Sequence, residues 1–166
     1  MKTYTITKKK EKRKDLILSI CVFLSGFSCF AQLYYFQPLL PDLAHDFSLS
    51  ASKSSFAVSF STLGMVFGLL TMMFIADRIS RKKLISTGLL ASSIFSVAAS
   101  FSPTFTPLIL LSAAKGFLLS GATSVSMAYI SEEVSPSNKS KIMGLYIAGN
   151  ALGGMGGRVI SSWIGS

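Results

Sequence analysis

Two cations set in otherwise uncharged stretches are the residues of this chain best placed to do chemistry. Lys115 interrupts Leu108 to Ile130, and Arg158 interrupts Ile142 to Ile164. Each stretch is long enough to lie within a bilayer, where a cation at mid-depth costs on the order of 3 kcal/mol. Such a group either snorkels to the membrane surface or faces an aqueous cavity, where it binds or titrates. Both readings stay open for Lys115, about 10 Å from one end of its stretch at 1.5 Å per residue. Arg158 lies nearer an end, which favours a snorkelled anchor. The seven acids, Glu11, Asp15, Asp42, Asp46, Asp77, Glu132 and Glu133, all fall outside the apolar runs. The usual relay of protons through intramembrane carboxylates is therefore missing from the sequence. His45 stands alone in a polar segment, and Cys21 and Cys29 share one apolar run, so neither a metal site nor a disulfide framework is indicated. With no nucleophile–base pair and no cofactor motif, an enzyme is the poorest of the function classes.

The elements that must position these groups follow from the charge distribution. Half of the residues are hydrophobic and 14% are charged, against roughly 25% charged in soluble domains. The charges bunch into islands between long uncharged runs. Lengths near the roughly 20 residues needed to cross about 30 Å of hydrocarbon predict five spans, at about 16–40, 54–76, 84–102, 107–130 and 142–164. "SPTFTP" at 102–107 divides the third from the fourth. Barrel strands of about 10 alternating residues are excluded. The expected class is all-α and polytopic, with a basic N-terminal segment (1–15) ahead of one membrane unit (16–166). A secretory leader is excluded, because the apolar run continues past "CFA" at 29–31.

The net charge of +9 does not indicate nucleic acid, because of where it lies. "KKKEKRK" (8–14) precedes the first run and "DRISRKK" (77–83) follows the second, whereas "PDLAHDFSLSASK" (41–53) is mildly acidic. This asymmetry predicts a cytoplasmic N-terminus in a cell membrane, with the lysines near anionic lipid.

Gly149, Gly153, Gly157, Ser161 and Gly165 recur every four residues. On a helix they share one face, along which another helix can approach closely. The strip predicts a partner helix without naming it. "GGMGGR" lacks the lysine and serine of a phosphate loop.

Together these stretches resemble the major facilitator superfamily, and within it the bacterial drug-efflux and arabinose-efflux-like branch, over nearly the whole chain from Leu16. "ADRISRKK" at 76–83 is similar to the basic loop between the family's second and third helices. The resemblance makes Asp77, Arg78, Arg81 and Lys82 a conformational-switch motif, with Met73, Phe74 and Ser80 departing from its glycines and proline. Gly116 matches the glycine of the family's fourth-helix motif. Ser112 stands where that motif has an arginine linked to proton transfer, and Lys115 stands where glutamine is common. "MGLYIAGNALGGMGGR" at 143–158 resembles the fifth helix of antiporter-type members, with Gly149, Gly153, Gly157, Asn150 and Arg158 agreeing together. The resemblance also places Gln32, Tyr35, Gln37, Ser112, Lys115 and Asn150 along the path of substrate or proton, while Tyr34 and Tyr35 equally suit an aromatic belt.

Family members carry twelve helices in two halves that rock about a central site. The resemblance thus implies a chain limited to helices one to five. It is a remnant inactive by itself, or one completed by a second polypeptide, of a transporter that exports a small molecule with proton coupling. The competing expectation is a small membrane subunit that docks on another membrane protein through its glycine face.

Overall fold

The computed structural model describes residues 2–165, with side chains from residue 13 onward. The side chains of the basic stretch 8–12 lie outside the described residues. Five long helices carry the fold: α1 (Lys2–Tyr34), α4 (Phe56–Ile75), α5 (Arg81–Ser100), α6 (Phe105–Glu133) and α7 (Lys139–Gly165). Two short ones, α2 (Leu40–Asp46) and α3 (Ala51–Ser54), lie between α1 and α4. Described residues form no strand.

The helix limits follow local chemistry. α1 ends at Tyr34 and residues 35–39 form turns, because Pro38 and Pro41 lack the N–H that a continuing helix needs. The first span expected at 16–40 is therefore shorter, and the segment expected as a loop at 41–53 contains α2 and α3. Pro107 falls in the first turn of α6, where its missing N–H leaves no bond unmade. Serine and threonine hydroxyls bond back to carbonyls one turn earlier. Ser112 Oγ donates to Leu108 O at 2.8 Å, Ser161 Oγ to Gly157 O at 2.6 Å and Thr71 Oγ1 to Phe67 O at 2.8 Å. Each hydroxyl is thus satisfied without water, as a bilayer requires.

Among the described residues, four helices are long and apolar enough to cross a membrane: Arg13–Tyr34, Ala51–Arg78, Arg81–Ser100 and Phe105–Glu133. α7, at 27 residues, matches them in length but not in apolarity. Its glycines, Asn150 and Arg158 thin the run expected as a fifth span.

The packing has a hub. Half of the apolar window of α6 is buried, against 11% for α4, so α6 lies between its neighbours and α4 at the rim. α4 and α5 both pack along α6, and α7 packs along α1. Glycine permits these contacts. A methyl group at Gly116 would strike the Ser61 carbonyl, and one at Gly88 would lie 2.7 Å from the Leu118 carbonyl oxygen. The α7 strip meets α1 in register. Gly149 lies on Phe23, Gly153 on Phe27 and Gly157 on Ala31, each against backbone. This corrects the expectation that the strip's partner lies outside the chain: α1 fills it, so the strip is not free to dock a separate membrane protein. Phe67, Phe74, Leu90, Phe101 and Trp163 point outward, the surface that lipid covers and water would not.

Candidate functional site

The end of α1 opposite its basic residues gathers both buried-stretch cations. Tyr34 and Tyr35 are consecutive, so their rings leave the chain on different sides. Lys115 of α6 sets its Nζ 4.4 Å from the Tyr35 ring centroid and 4.6 Å from that of Phe36. The two rings stack at 4.2 Å. On the other side, Arg158 of α7 lies with Cζ 4.6 Å from the Tyr34 ring centroid. Each cation thus faces an aromatic quadrupole, worth roughly 0.5–2 kcal/mol depending on desolvation.

The two differ in burial. Lys115 is 1% exposed and its Nζ has no hydrogen-bond partner among the described residues. It does not snorkel, because the rings of Tyr35 and Phe36, in the turn that follows α1, close over it. Arg158 is exposed, as a snorkelled anchor would be. It lines a cavity of about 690 Å³ together with Gln37, Ser162 and Trp163.

The remaining residues singled out by sequence are spread along the bundle. Gln32 accepts a hydrogen bond from the fully buried Ser92 of α5 at 2.9 Å, which ties α1 to α5. Ser112 is buried, with its hydroxyl committed to its own helix. Asn150 packs on Gly26, and its buried Oδ1 lacks a partner. Gly26 and Tyr35 are separated along the chain by a rise of about 13 Å at 1.5 Å per residue, so Asn150 and Lys115 do not share a site.

At the basic end, Ala76–Arg78 forms a 3₁₀ turn that leaves Asp77 and Arg78 exposed. Arg81 lines a cavity of about 530 Å³ with Asp77, yet its partner is Glu132. Nε and Nη2 of Arg81 donate to the two carboxylate oxygens, both at 2.7 Å. Asp77 has no ion pair among the described residues. Lys82 turns instead toward α1. Met73, which departs from a glycine of the loop motif, is 75% exposed, and Gly64 and Gly68 make the close approach of α4 to α6.

Sequence reasoning missed the polar clasp at this end. Glu133 accepts from Lys14 Nζ at 2.8 Å. Asp15 Oδ2 accepts from Ser135 Oγ at 2.6 Å and from Asn138 Nδ2 at 2.8 Å. The signal was present in "SEEVSPSNKSK", whose acids fall at the same end as Arg81 and Lys14. Its near-zero net charge hid the pairing.

The arrangement combines glycine-meshed apolar helices, a guanidinium–carboxylate lock at one end and cations over aromatics at the other. Comparison with known proteins identifies its family. The model described as Major Facilitator Superfamily matches residues 18–166. The chain belongs to that superfamily. It is 40% identical over 161 residues to a transporter of Buchnera aphidicola subsp. Schizaphis graminum, covering 97% of this chain and 39% of the relative. It is 40% identical over 144 residues to the inner membrane transport protein YnfM of Escherichia coli, covering 87% of this chain and 34% of the relative. To the MFS-type transporter YybF of Bacillus subtilis it is 34% identical over 144 residues, covering 87% and 36%. The chain therefore spans less than two fifths of the length of these relatives. No solved structure matches it. The superfamily member is a multi-pass protein of the lipid bilayer, and its relatives are transporters rather than enzymes.

Proposed function

We propose that this chain supplies the first helices of a proton-coupled transporter that exports a small molecule across the cell membrane, with its N-terminus cytoplasmic and α7 as a fifth span. The observation that carries this proposal is Lys115, a buried amine without a hydrogen-bond partner, over Tyr35 and Phe36. An amine held there takes up and releases a proton without a carboxylate relay, and buried lysines change protonation readily. Lys115 would thereby serve one turn from Ser112, where the resemblance expects an arginine. Arg158 and Gln37, which share a cavity, would meet the substrate. Asp77, Arg78, Arg81 and Lys82 would form the switch between access states. The likeness of 143–158 to antiporter-type fifth helices supports efflux as the direction.

Transport belongs to the full-length arrangement of two halves. In vesicles with an imposed proton gradient, the chain alone is expected to move dyes or drugs no faster than empty vesicles. Fused to the remaining length of YnfM, it is expected to support gradient-driven flux that Lys115→Ala abolishes. Flux equally fast in that variant would remove Lys115 from the mechanism, and robust flux by the chain alone would overturn the two-half requirement.

A further inference from the structure

Arg158 lines two cavities. It shares one, about 690 Å³, with Gln37 and Trp163. The other, about 360 Å³, runs past Phe30 and Met155 to Asn150, about 12 Å along α7 from Arg158 at 1.5 Å per residue. No acid lines either cavity, and Arg158 has no carboxylate partner among the described residues. Its Cζ lies 4.6 Å from the Tyr34 ring centroid, and the Tyr34 ring sits 6.1 Å from that of Phe30. A guanidinium held over a ring still offers the N–H fork that fits a carboxylate. Lys115 adds a second cation over the next residue, Tyr35. The apolar runs that hold these two cations contain no acid to offset them.

Taking this chain as part of a transporter, we propose that its cargo is an organic anion with a flat apolar body. Arg158 takes the carboxylate, and the body lies along Phe30 and Met155 toward Asn150. The volume suits such a molecule, because ligand cavities begin at about 300 Å³. A cationic cargo would meet an unneutralised guanidinium in an apolar wall, where like charges repel strongly. A neutral cargo would desolvate that guanidinium and leave it unpaired, which costs more than stranding a neutral group. In a transporter the site lies between the halves, so a wall added over these cavities encloses fork and cargo together. A lipid phosphate offers the same anionic oxygens, but the aromatic lining beyond Arg158 favours a flat body over a branched headgroup.

Trp163 is the single tryptophan of the chain and lines a cavity with Arg158, so its fluorescence reports binding in a non-ionic detergent. 4-Nitrobenzoate is expected to quench it saturably. 4-Nitrobenzyl alcohol and 4-nitrobenzylammonium should bind at least tenfold more weakly, the effect of losing one hydrogen-bonded charge pair. Arg158→Gln is expected to lower the affinity for 4-nitrobenzoate by the same factor, and Arg158→Lys, which keeps the charge without the fork, by less. Lys53→Ala, which removes a cation of α3 outside both cavities, should leave it unchanged. Circular dichroism checks that each variant keeps the helical content of the parent. Equal quenching by the three probes, no saturable quenching by any, or a loss in Lys53→Ala as large as in Arg158→Gln overturns the proposal. So does displacement of 4-nitrobenzoate by phosphatidylglycerol at equal concentration, which would make a lipid headgroup the partner of Arg158. In the transporter completed with the remaining length of YnfM, 4-nitrobenzoate should compete for the gradient-driven flux and 4-nitrobenzylammonium should not. Flux of a cationic dye that 4-nitrobenzoate leaves untouched would overturn the anionic cargo and leave transport standing. Absence of any flux, with selective binding intact, would remove the transport reading and keep the anion site.

Discussion

Arg81 grips Glu132 through two parallel hydrogen bonds of 2.7 Å, joining the start of α5 to the end of α6. Fork-to-fork geometry is the strong form of this pair, although the Glu132 side chain is 57% exposed and solvent screens part of the gain. Glu132→Gln is expected to lower the stability of the detergent-solubilised chain by about 0.5–1 kcal/mol, seen as a lower thermal midpoint. The exchange Arg81→Glu/Glu132→Arg should recover more than half of that loss. A double variant no better than the singles would mean that the pair contributes through packing rather than charge.

The α1–α7 contact predicts a contrast between two glycines of one helix. At Gly153 an added methyl group strikes the Phe27 carbonyl, whereas at Gly144 nothing lies within 4 Å. Gly153→Ala is expected to destabilise the fold by about 1–3 kcal/mol through forced separation of the helices. Gly144→Ala is expected to be neutral or to stabilise by up to about 1 kcal/mol, since alanine is the better helix former. Thermal unfolding of both variants in one detergent measures the difference.

Lys115 combines near-complete burial with an unpaired Nζ. An uncompensated buried charge destabilises, and an apolar side chain of similar volume restores the lost stability. Lys115→Met is therefore expected to raise the thermal midpoint of the chain by about 1–3 kcal/mol equivalent, while the fused transporter carrying it loses gradient-driven flux. A lowered midpoint would show that the contacts with Tyr35 and Phe36 outweigh the cost of burial.

Asp15 ties α1 to the connection between α6 and α7 and is 7% exposed. Asp15→Ala strands the Ser135 and Asn138 donors, at a cost of about 1–3 kcal/mol. Limited proteolysis should then cut within 134–139 several times faster than in the parent chain. Unchanged cutting would place the order of that connection elsewhere.

Much of this architecture is written in the sequence. Uncharged runs gave the long helices, and "SPTFTP" marked the break that separates α5 from α6 at Ser100 and Phe105. The four-residue glycine period showed an interface on α7. Its partner was hidden, because small-residue spacing reports how closely a helix can be approached and carries nothing about which helix approaches. Lys115 was visible as a charge out of place. Its neighbours were not, since Tyr35 and Phe36 come from a turn that Pro38 and Pro41 create at the far end of another helix. The clasp of Glu132, Glu133 and Asp15 escaped notice because net charge averages away the pairing of individual residues.

The glycine contacts also set the mechanics of the bundle. Where backbone touches backbone, at Gly153 on Phe27 and Gly116 on Ser61, side chains have no slack to absorb displacement. α1 with α7, and α4 and α5 with α6, are therefore two stiff planks. Between the planks the contacts are far sparser and include Cys29 Sγ to Leu119 O at 3.9 Å and Ser92 to Gln32 at 2.9 Å. That sparse line is the compliant seam of the molecule, and shear between the planks concentrates there. Lys115 stands at one end of the seam, where a small slide would change which ring its charge faces.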